Sequence, residues 1–307
     1  MAAAICDTIF LDMKGFIISI VTLLFCSGAF AQSDVRQMLE AEKAFQQTAA
    51  DKGLKTAFLD SLADDSIIFH PEAVNGKEYW SKREDSSDVT LVRIPTYSDI
   101  SYNGVLGYTM GNWRQYPKGK SESLAQFGQY VTVWEKRNGR FFASLDIDIN
   151  HDKLPFSETD RVLRTNKTQE ANIRGWSPAD ASMNFLRMSM GEDRLGAAYK
   201  KFSADDVRLL IEREPPILGK KRVVSEMKRY MSIEFPKKVA LFQAADMAYT
   251  WNACQYANSN EGVENGNCLH VWKLRDKKWL IVLGVFARVE SETKPTLKIR
   301  QKSRKSK

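Results

Sequence analysis

Residues 130–137 read Tyr-Val-Thr-Val-Trp-Glu-Lys-Arg, and this stretch, with Asn138-Gly139 directly behind it, decides the fold. Its β-branched and aromatic residues favour an extended strand. Because side chains alternate along a strand, the even-numbered residues point to one face and the odd-numbered residues to the other. An Asn-Gly pair between two apolar runs predicts a tight hairpin turn. The stretch therefore predicts two long antiparallel strands joined at residues 138–139.

The same pattern occurs a second time further along the chain. Each copy has a helix-like segment that is expected to end at Ala-Asp-Asp, then an apolar strand, and then a Gly-Lys pair that opens a short helix. The matched segments are 56–65 and 197–206, 76–77 and 219–220, 107–109 and 248–250, and 133–137 and 271–275. Such self-similarity indicates a structural unit present twice.

Within each copy, helices come before strands. Ser33-Asp34 can cap a helix that runs to about Asp51, with Gly53 as its stop, and Ser177-Pro178 can start the corresponding helix of the second copy. Helices grouped before antiparallel strands predict an α+β fold rather than a parallel α/β sheet. The predicted parts are a signal peptide (1–31), a first domain (32–153), a linker or bridging helix (154–175), a second domain (176–291) and a basic, disordered tail (292–307).

The N-terminus predicts export. Lys14 precedes an apolar run over residues 16–26, and residues 29–31, Ala-Phe-Ala, form a small-x-small cleavage signal. Because the run is too short to span a bilayer, we expect a mature protein that starts near Gln32, has no transmembrane span and is periplasmic or secreted. A retained membrane anchor is the alternative.

Two of the four cysteines would leave with the signal peptide, so Cys254 and Cys268 would remain in the exported protein. An even pair in an oxidising compartment favours a disulfide. Closing a loop of about 15 residues stabilises a fold by roughly 3 kcal/mol in the chain-entropy model. A catalytic thiol is the competing interpretation.

The net charge of +7 belongs to the C-terminal tail. Residues 294–307 contain seven Lys or Arg and no acidic residue, which leaves 38 basic and 38 acidic residues elsewhere. The tail has no aromatic side chains for base stacking. We expect it to be solvated or to contact anionic lipid or cell-surface polymer, and we expect no nucleic-acid partner for an exported protein.

These motifs resemble the NTF2-like superfamily and, within it, the DUF4440/SnoaL-like group. The residues that carry the resemblance are Leu-Ala-Asp-Asp at 62–65, the Gly-Lys pair at 76–77, and Tyr-x-Thr-Val-Trp-Glu-Lys-x-x-Gly-x-Phe from residue 130. It covers 34–153 and, more loosely, 176–291. The resemblance implies two tandem cone folds, each with helices packed in a curved antiparallel sheet around a small-molecule pocket. It also implies sheet-to-sheet pairing, as an intrachain pseudo-dimer or a homodimer.

The ketosteroid-isomerase branch of that superfamily implies three catalytic positions. Its catalytic aspartate corresponds to His70, and its two oxyanion donors correspond approximately to Gln46 and Tyr130. The second copy has Ile211 in place of His70 and Cys268 in place of Tyr130. His70 could be a general base, a ligand-binding donor or an ordinary residue of the pocket wall.

Further candidates would bind a ligand. Asp146 and Asp148 lie two apart on the last strand of the first copy and share a face. If they enter the pocket, like-charge repulsion could raise one pKa; otherwise they lie on a solvated face. Aromatic side chains could line an apolar cavity or simply form core; in the first copy they are Tyr79, Trp80, Tyr108, Trp113 and Trp134.

The sequence predicts no cofactor and no metal. It contains no phosphate loop, nucleophile elbow, zinc spacing or dinucleotide fingerprint. His151 with Asp148 and Asp152 has no diagnostic metal-ligand spacing. We therefore expect a binding protein for a small apolar or aromatic molecule or a partner. The alternative is an isomerase, dehydratase or hydrolase with His70 as general base, and a third hypothesis gives the second domain a mainly structural role.

Overall fold

The computed structural model describes residues 34–84, 89–120, 125–151, 177–191, 194–258 and 262–289, and the backbone of residues 162–163. The predicted signal peptide and basic tail lie outside these residues. Of the predicted linker, only Val162–Leu163 is described, and it forms a short strand.

The first sheet is built from the N-terminal half of the chain. Its strands run in the order β2-β1-β6-β5-β4-β3-β7. The elements are α1 (34–52), α2 (Leu54–Ser61), β1 (Leu62–Phe69), β2 (Ala73–Asn75), α3 (Gly76–Ser81), β3 (Val89–Ile100), β4 (Leu106–Pro117), β5 (Gln126–Arg137), β6 (Arg140–His151) and β7 (Val162–Leu163).

The second sheet follows the same plan. Its strands run in the order β10-β12-β13-β14-β8-β9, and β11 also pairs with β12. The elements are α4 (Pro178–Ser189), α5 (Arg194–Phe202), β8 (Ser203–Ile211), β9 (Ile217–Leu218), α6 (Lys220–Met227), β10 (Tyr230–Ser232), β11 (Ala240–Ala244), β12 (Met247–Asn258), β13 (Gly262–Arg275) and β14 (Lys278–Val289).

The fold is α+β, as predicted, but its sheets are mixed rather than wholly antiparallel. The strand after the second helix runs parallel to the last long strand of the same sheet, β1 beside β6 and β8 beside β14. In each sheet, the first long strand in the chain therefore lies next to the last long strand. In addition, β7 pairs with β3 in parallel.

Local sequence signals place several element boundaries. Gly53 (φ 90°) separates α1 from α2. Asn138 (φ 51°) and Gly139 (φ 79°) form the turn between β5 and β6, and positive φ at both positions is what that turn requires. The Ser177 side chain accepts a hydrogen bond from the Asp180 amide, and Asp180 accepts from the Ser177 amide, so α4 has the reciprocal cap expected of a helix start.

The prediction that the Ala-Asp-Asp segments end helices is wrong. Residues 62–65 already belong to β1, and residues 203–206 already belong to β8. In both copies the strand begins directly after the helix. Successive aspartates have poor helix propensity, and both extended segments bury their first apolar side chain, Leu62 or Ala204.

The two sheets pack face to face, with helices on their outer faces. One apolar cluster contains residues of both sheets, including Val131, Val133 and Leu145 from the first and Leu269 and Val271 from the second. Two other clusters join each sheet to its own helices, α1 and α2 in the first half and α4 to α6 in the second. The alternation predicted for residues 130–134 is confirmed, because Trp134 faces the helices while Val131 and Val133 face the other sheet.

A buried ionic cluster also crosses between the sheets. Lys273 Nζ from β13 lies 3.2 Å from Asp99 Oδ1 of β3 and 3.6 Å from Asp246 Oδ2, and it donates to the carbonyl of Ile100. Asp246 in turn accepts a hydrogen bond from the amide of Tyr102 at 2.6 Å. Lys273 is 1% exposed and both carboxylates are fully buried. Burial raises the pKa of each carboxyl, and the ammonium of Lys273 opposes this shift.

The predicted disulfide is present. Cys254 and Cys268 are bonded, with their Cα atoms 6.0 Å apart, and the bridge joins the neighbouring strands β12 and β13. Among the described residues, no helix combines the length and the hydrophobicity that crossing a bilayer requires.

Candidate functional site

A cavity of about 390 Å³ opens beside the helices of the first half. Its walls come from α2, α3, β1, β3 and β4, and its floor comes from β3 and β6. Its apolar and aromatic lining is Leu54, Phe58, Ile68, Phe69, Tyr79, Trp80, Val89, Leu91 and Trp113, and its polar lining is His70, Arg83, Arg93, Gln115, Asp146 and Asp148. The lining residues are therefore mostly apolar or aromatic, but polar and apolar atoms share its exposed area about equally, and the charges concentrate at the floor and the rim.

The floor is an ionic cluster of one guanidinium and two carboxylates, in which Arg93 and Asp146 are buried and Asp148 is half-exposed. Arg93 donates from both terminal nitrogens to Asp146, at 3.0 and 2.8 Å, and from one of them to Asp148, at 3.0 and 3.2 Å. Thr132 adds a hydrogen bond to Asp146 at 2.6 Å. The guanidinium also lies over the ring of Tyr130, 4.7 Å from its centroid. The floor is thus fixed by planar, bidentate contacts, which are the strong kind.

Strand geometry explains why these side chains meet. In β3, Val89, Leu91 and Arg93 alternate onto the face that carries the helices. In β6, the pairing with β5 shifts register next to Ser144, and beyond this bulge Asp146 and Asp148 lie on that same face. Two neighbouring β6 side chains are therefore directed at one side chain of β3.

A second buried acid lies behind the floor. Glu42 of α1 is 2% exposed and accepts a hydrogen bond from Thr109 at 2.7 Å; Thr109 accepts one from the indole of Trp134 at 2.9 Å. Burial raises the pKa of Glu42 above its ordinary value, against the opposing charge of Arg93. Burial also raises the pKa of the Tyr130 phenol, and the Glu42 charge adds to that shift.

Asp148 differs from its neighbours because its side chain is 46% exposed, whereas those of Arg93 and Asp146 are 4% and 5% exposed. Although its outer part reaches solvent, desolvation by the protein packed around it raises the pKa of Asp148 to about 7, with Asp146 adding like-charge repulsion and Arg93 opposing both. The open side of this carboxylate is the cavity itself. It can accept a hydrogen bond from a ligand when ionised and donate one when protonated.

The three residues of the predicted catalytic set contact different neighbours. His70 is exposed at the rim, where its ring centroid lies 4.8 Å from that of Tyr79. Tyr130 is fully buried beneath Arg93. Gln46 accepts a hydrogen bond from the Arg93 amide at 3.0 Å. Tyr130 and Gln46 therefore both contact Arg93, whereas the described ring contact of His70 is with Tyr79.

The predicted ligand-binding residues divide into three groups. Tyr79, Trp80 and Trp113 line the cavity, as does Asp146. Trp134 is buried next to α1, behind the floor. Tyr108 does not line the cavity, because it lies on the opposite face of β4, in the apolar cluster between the sheets.

The sequence reasoning missed Arg93 and Glu42. Glu42 could have been found, since it lies four residues after Met38 and three before Phe45, on the buried stripe of α1. A lone acid within an apolar helical stripe indicates a buried polar partner. Arg93 gave a weaker signal, because a strand exposed on one face commonly carries arginine.

In the second half, packed side chains occupy the region that corresponds to the cavity floor of the first half. When the strand pairings of the two halves are compared, Gly284 occupies the position of Asp146 and Phe286 occupies the position of Asp148. Ile211 corresponds to His70. A Cβ added at Gly284 would lie 3.1 Å from the hydroxyl of Tyr199, which is 3.0 Å from Nε2 of His270. Burial among these rings lowers the pKa of His270 to about 4. The acid floor of the first half is thus replaced by a packed aromatic core.

Within the described part of the chain, no group of three or more His, Cys, Asp or Glu side chains is arranged to hold a metal ion. His151 ends β6 and is largely buried. Its proposed companion Asp152 lies outside the described residues.

No protein-family model matches the sequence, and no curated protein matches it. Among solved structures, an NTF2-like protein from Cytophaga hutchinsonii is 14% identical over 36% of this chain and 94% of its own, with a TM-score of 0.32. A protein of unknown function with a cystatin-like fold from Nostoc punctiforme is 13% identical over 38% and 95%, with a TM-score of 0.30. A putative ketosteroid isomerase from Parabacteroides distasonis is 17% identical over 36% and 85%, with a TM-score of 0.28. The strand order and the contacts described above therefore carry the fold assignment.

Proposed function

We propose that the first half of the chain binds a small aromatic molecule in the cavity above Arg93. The observation that carries this proposal is the contrast between the cavity wall and its floor. The rings of Tyr79, Trp80 and Trp113 offer apolar faces, and the floor offers one half-exposed carboxylate. An apolar pocket with a few convergent polar groups is the usual form of a small-molecule site, and its volume lies within the usual range of roughly 300–1,000 Å³.

The test is a binding measurement with a cavity-filling variant. We expect calorimetric titration with small aromatic compounds to give saturable binding that Leu91→Trp abolishes, because Leu91 lines the cavity and a larger ring would occupy it. Leu241→Trp is the control, since Leu241 is exposed on the second sheet. Binding that survives Leu91→Trp would place the ligand elsewhere and contradict the proposal.

We further propose that the chain consists of two NTF2-like domains, at about 32–153 and 176–291, docked as an intrachain pseudo-dimer. Both halves place helices on one face of a mixed sheet and pack the other face against their partner. Both also contain the same buried hydrogen bond, from Trp134 to Thr109 and from Trp272 to Thr250, each at 2.9 Å. Light scattering that finds a monomer would support the pseudo-dimer over a homodimer.

We also propose that the protein is exported after cleavage near Gln32. The Cys254–Cys268 disulfide supports this, since such bonds persist in oxidising compartments. Mass spectrometry of the natural protein should find Gln32, or a residue close to it, at the N-terminus. A chain that retains residues 1–31 would contradict the proposal.

Catalysis by the same cavity is the second candidate, and the raised pKa of Asp148 favours it. A carboxylate with a pKa of about 7 in a cavity can take a proton from carbon next to a carbonyl. In this version Asp148, rather than the exposed His70, is the base. Deuterium incorporation into phenylacetone in heavy water should then be lost in Asp148→Asn and kept in His70→Gln. Equal rates with and without protein would exclude it.

A further inference from the structure

The Asp148 carboxylate has unused hydrogen-bonding capacity on the cavity side. Both of its oxygens accept from the same Arg93 nitrogen, at 3.0 and 3.2 Å, so each keeps lone pairs for another donor. Its side chain is 46% exposed, and that exposure opens into the cavity. The neighbouring Asp146 differs, because its two oxygens share three hydrogen bonds from Arg93 and Thr132 and its side chain is only 5% exposed.

The charge of the floor is unbalanced. One guanidinium faces two carboxylates, and Arg93 directs its bidentate contact at Asp146. Glu42 lies behind this pair and is buried with Thr109. When both aspartates are ionised, the floor lacks one positive charge. Arg83, the other cation of the lining, lies at the rim over the rings of Tyr79 and Trp80, so a cation bound at the floor would supply the missing charge.

The walls above Asp148 are also suited to a cation. Tyr79, Trp80 and Trp113 line the cavity, and aromatic ring faces attract ammonium and guanidinium groups. Arg83, at the rim, already lies over two of these rings, 5.1 Å from the Tyr79 centroid and 5.5 Å from that of Trp80. Trp80 is held in place by stacking on Phe58, with centroids 4.2 Å apart.

We infer that the ligand of this cavity is a small aromatic amine, bound as its ammonium ion, with the nitrogen on Asp148 and the ring among Tyr79, Trp80 and Trp113. This inference rests on the proposed function, that the cavity binds a small aromatic molecule, and adds the charge of the ligand. Selectivity comes from the ion pair with Asp148, and the rings supply contact area that any aromatic compound would share.

The test compares three probes with one ring and different charge: 2-phenylethylamine, 2-phenylethanol and phenylacetate. Calorimetric titration of the full chain at pH 8 should give the amine a dissociation constant at least tenfold lower than those of the alcohol and the carboxylate. Asp148→Asn should weaken amine binding at least tenfold and change alcohol binding less than twofold. Asp205→Asn is the matched control, because the Asp205 side chain is fully exposed in the second half.

The possible outcomes separate this inference from the proposed function. Equal affinity for all three probes would overturn the amine and leave aromatic binding intact. Tightest binding of phenylacetate would also overturn it and would assign recognition to Arg83. Failure of all three probes to bind would contradict the proposed function as well. The comparison of probes on the unaltered protein decides the question even if Asp148→Asn does not fold.

Discussion

At the scale of single residues, Arg93 organises the first half of the chain. It is almost fully buried, yet it contacts Asp146, Asp148, the side chain of Gln46 through its amide, and the ring of Tyr130. Removal of one member of such a cluster leaves buried charge without a partner, which costs far more than the loss of an exposed ion pair. The cavity floor and the stability of the first half therefore depend on the same side chain.

Arg93→Met should lower the free energy of unfolding by about 3–5 kcal/mol, because Asp146 would remain buried without its cation. Urea unfolding measures this change. Lys82→Met is the control and should cost far less, since the Lys82–Glu78 pair is exposed on one helix face and screened by solvent. Similar losses in the two variants would show that the floor contributes little.

Asp148 should make stability depend on pH. Its pKa is raised to about 7 in the folded protein, whereas an unfolded aspartate titrates near 3.9. Between these values the folded state holds a proton that the unfolded chain releases, so the contribution of Asp148 is complete below about pH 4 and is lost as the pH rises through about 7. The charged groups that face it are Arg93, Asp146 and Glu42.

Urea unfolding at several pH values tests this. The wild-type protein should lose more stability between pH 5 and pH 8 than Asp148→Asn does, because the asparagine does not titrate. Parallel pH profiles for the two proteins would show that the pKa of Asp148 is ordinary.

At the scale of elements, nearby residues determine the turns and helix caps, whereas the candidate site also depends on a bulge in β6. The turn at Asn138-Gly139 and the cap at Ser177 follow directly from local residue preferences. The bulge next to Ser144 does not, although it sets the face of Asp146 and Asp148. Strand register beyond a bulge depends on pairing with distant neighbours rather than on nearby sequence.

Ser177→Ala should lower the free energy of unfolding by about 1 kcal/mol, since it removes the side chain that caps α4. Thermal or urea unfolding measures the change. Ser225→Ala, at an exposed position inside α6, should be neutral or slightly stabilising because alanine favours a helix interior. A loss of stability at Ser225 as large as that at Ser177 would contradict the capping argument.

At the scale of the whole molecule, the two halves share one buried interface. The apolar cluster between the sheets contains residues of both, and the Lys273 cluster joins β13 to β3. The second half has lost the acid floor and holds a disulfide and a packed core. The apolar cluster and the Lys273 cluster are therefore the contacts through which the two halves stabilise each other.

Lys273→Met should lower the free energy of unfolding by about 3–5 kcal/mol, because Asp99 and Asp246 would face each other in a buried site. Combining it with Asp99→Asn and Asp246→Asn should recover part of this loss, because no unpaired charge would then be buried. Lys278→Met is the control, since Lys278 is exposed at the start of β14. No recovery in the triple variant would contradict the ionic explanation.

The sequence predicted more of the fold than of the site. The order of elements predicted the α+β class, the Asn-Gly pair predicted the β5–β6 hairpin, and the even pair of cysteines predicted the disulfide, because those features follow from local preferences or simple pairing. The parallel pairing of β1 with β6 and the meeting of Arg93 with Asp146 depend on contacts between distant segments. Tyr108 was placed in the pocket because an aromatic strand residue does not by itself indicate which face it occupies.

The most direct test of the central claim, that the first cavity is the ligand site, is the indole ¹H–¹⁵N spectrum during titration with 2-phenylethylamine. Each tryptophan gives its own signal, so the spectrum reports the location of binding. We predict shifts for Trp80 and Trp113, which line the cavity, and unchanged signals for Trp272 and Trp279, which lie in the second core. Unchanged signals for Trp80 and Trp113 at amine concentrations that calorimetry shows to saturate the protein, or shifts confined to Trp272 and Trp279, would contradict the claim.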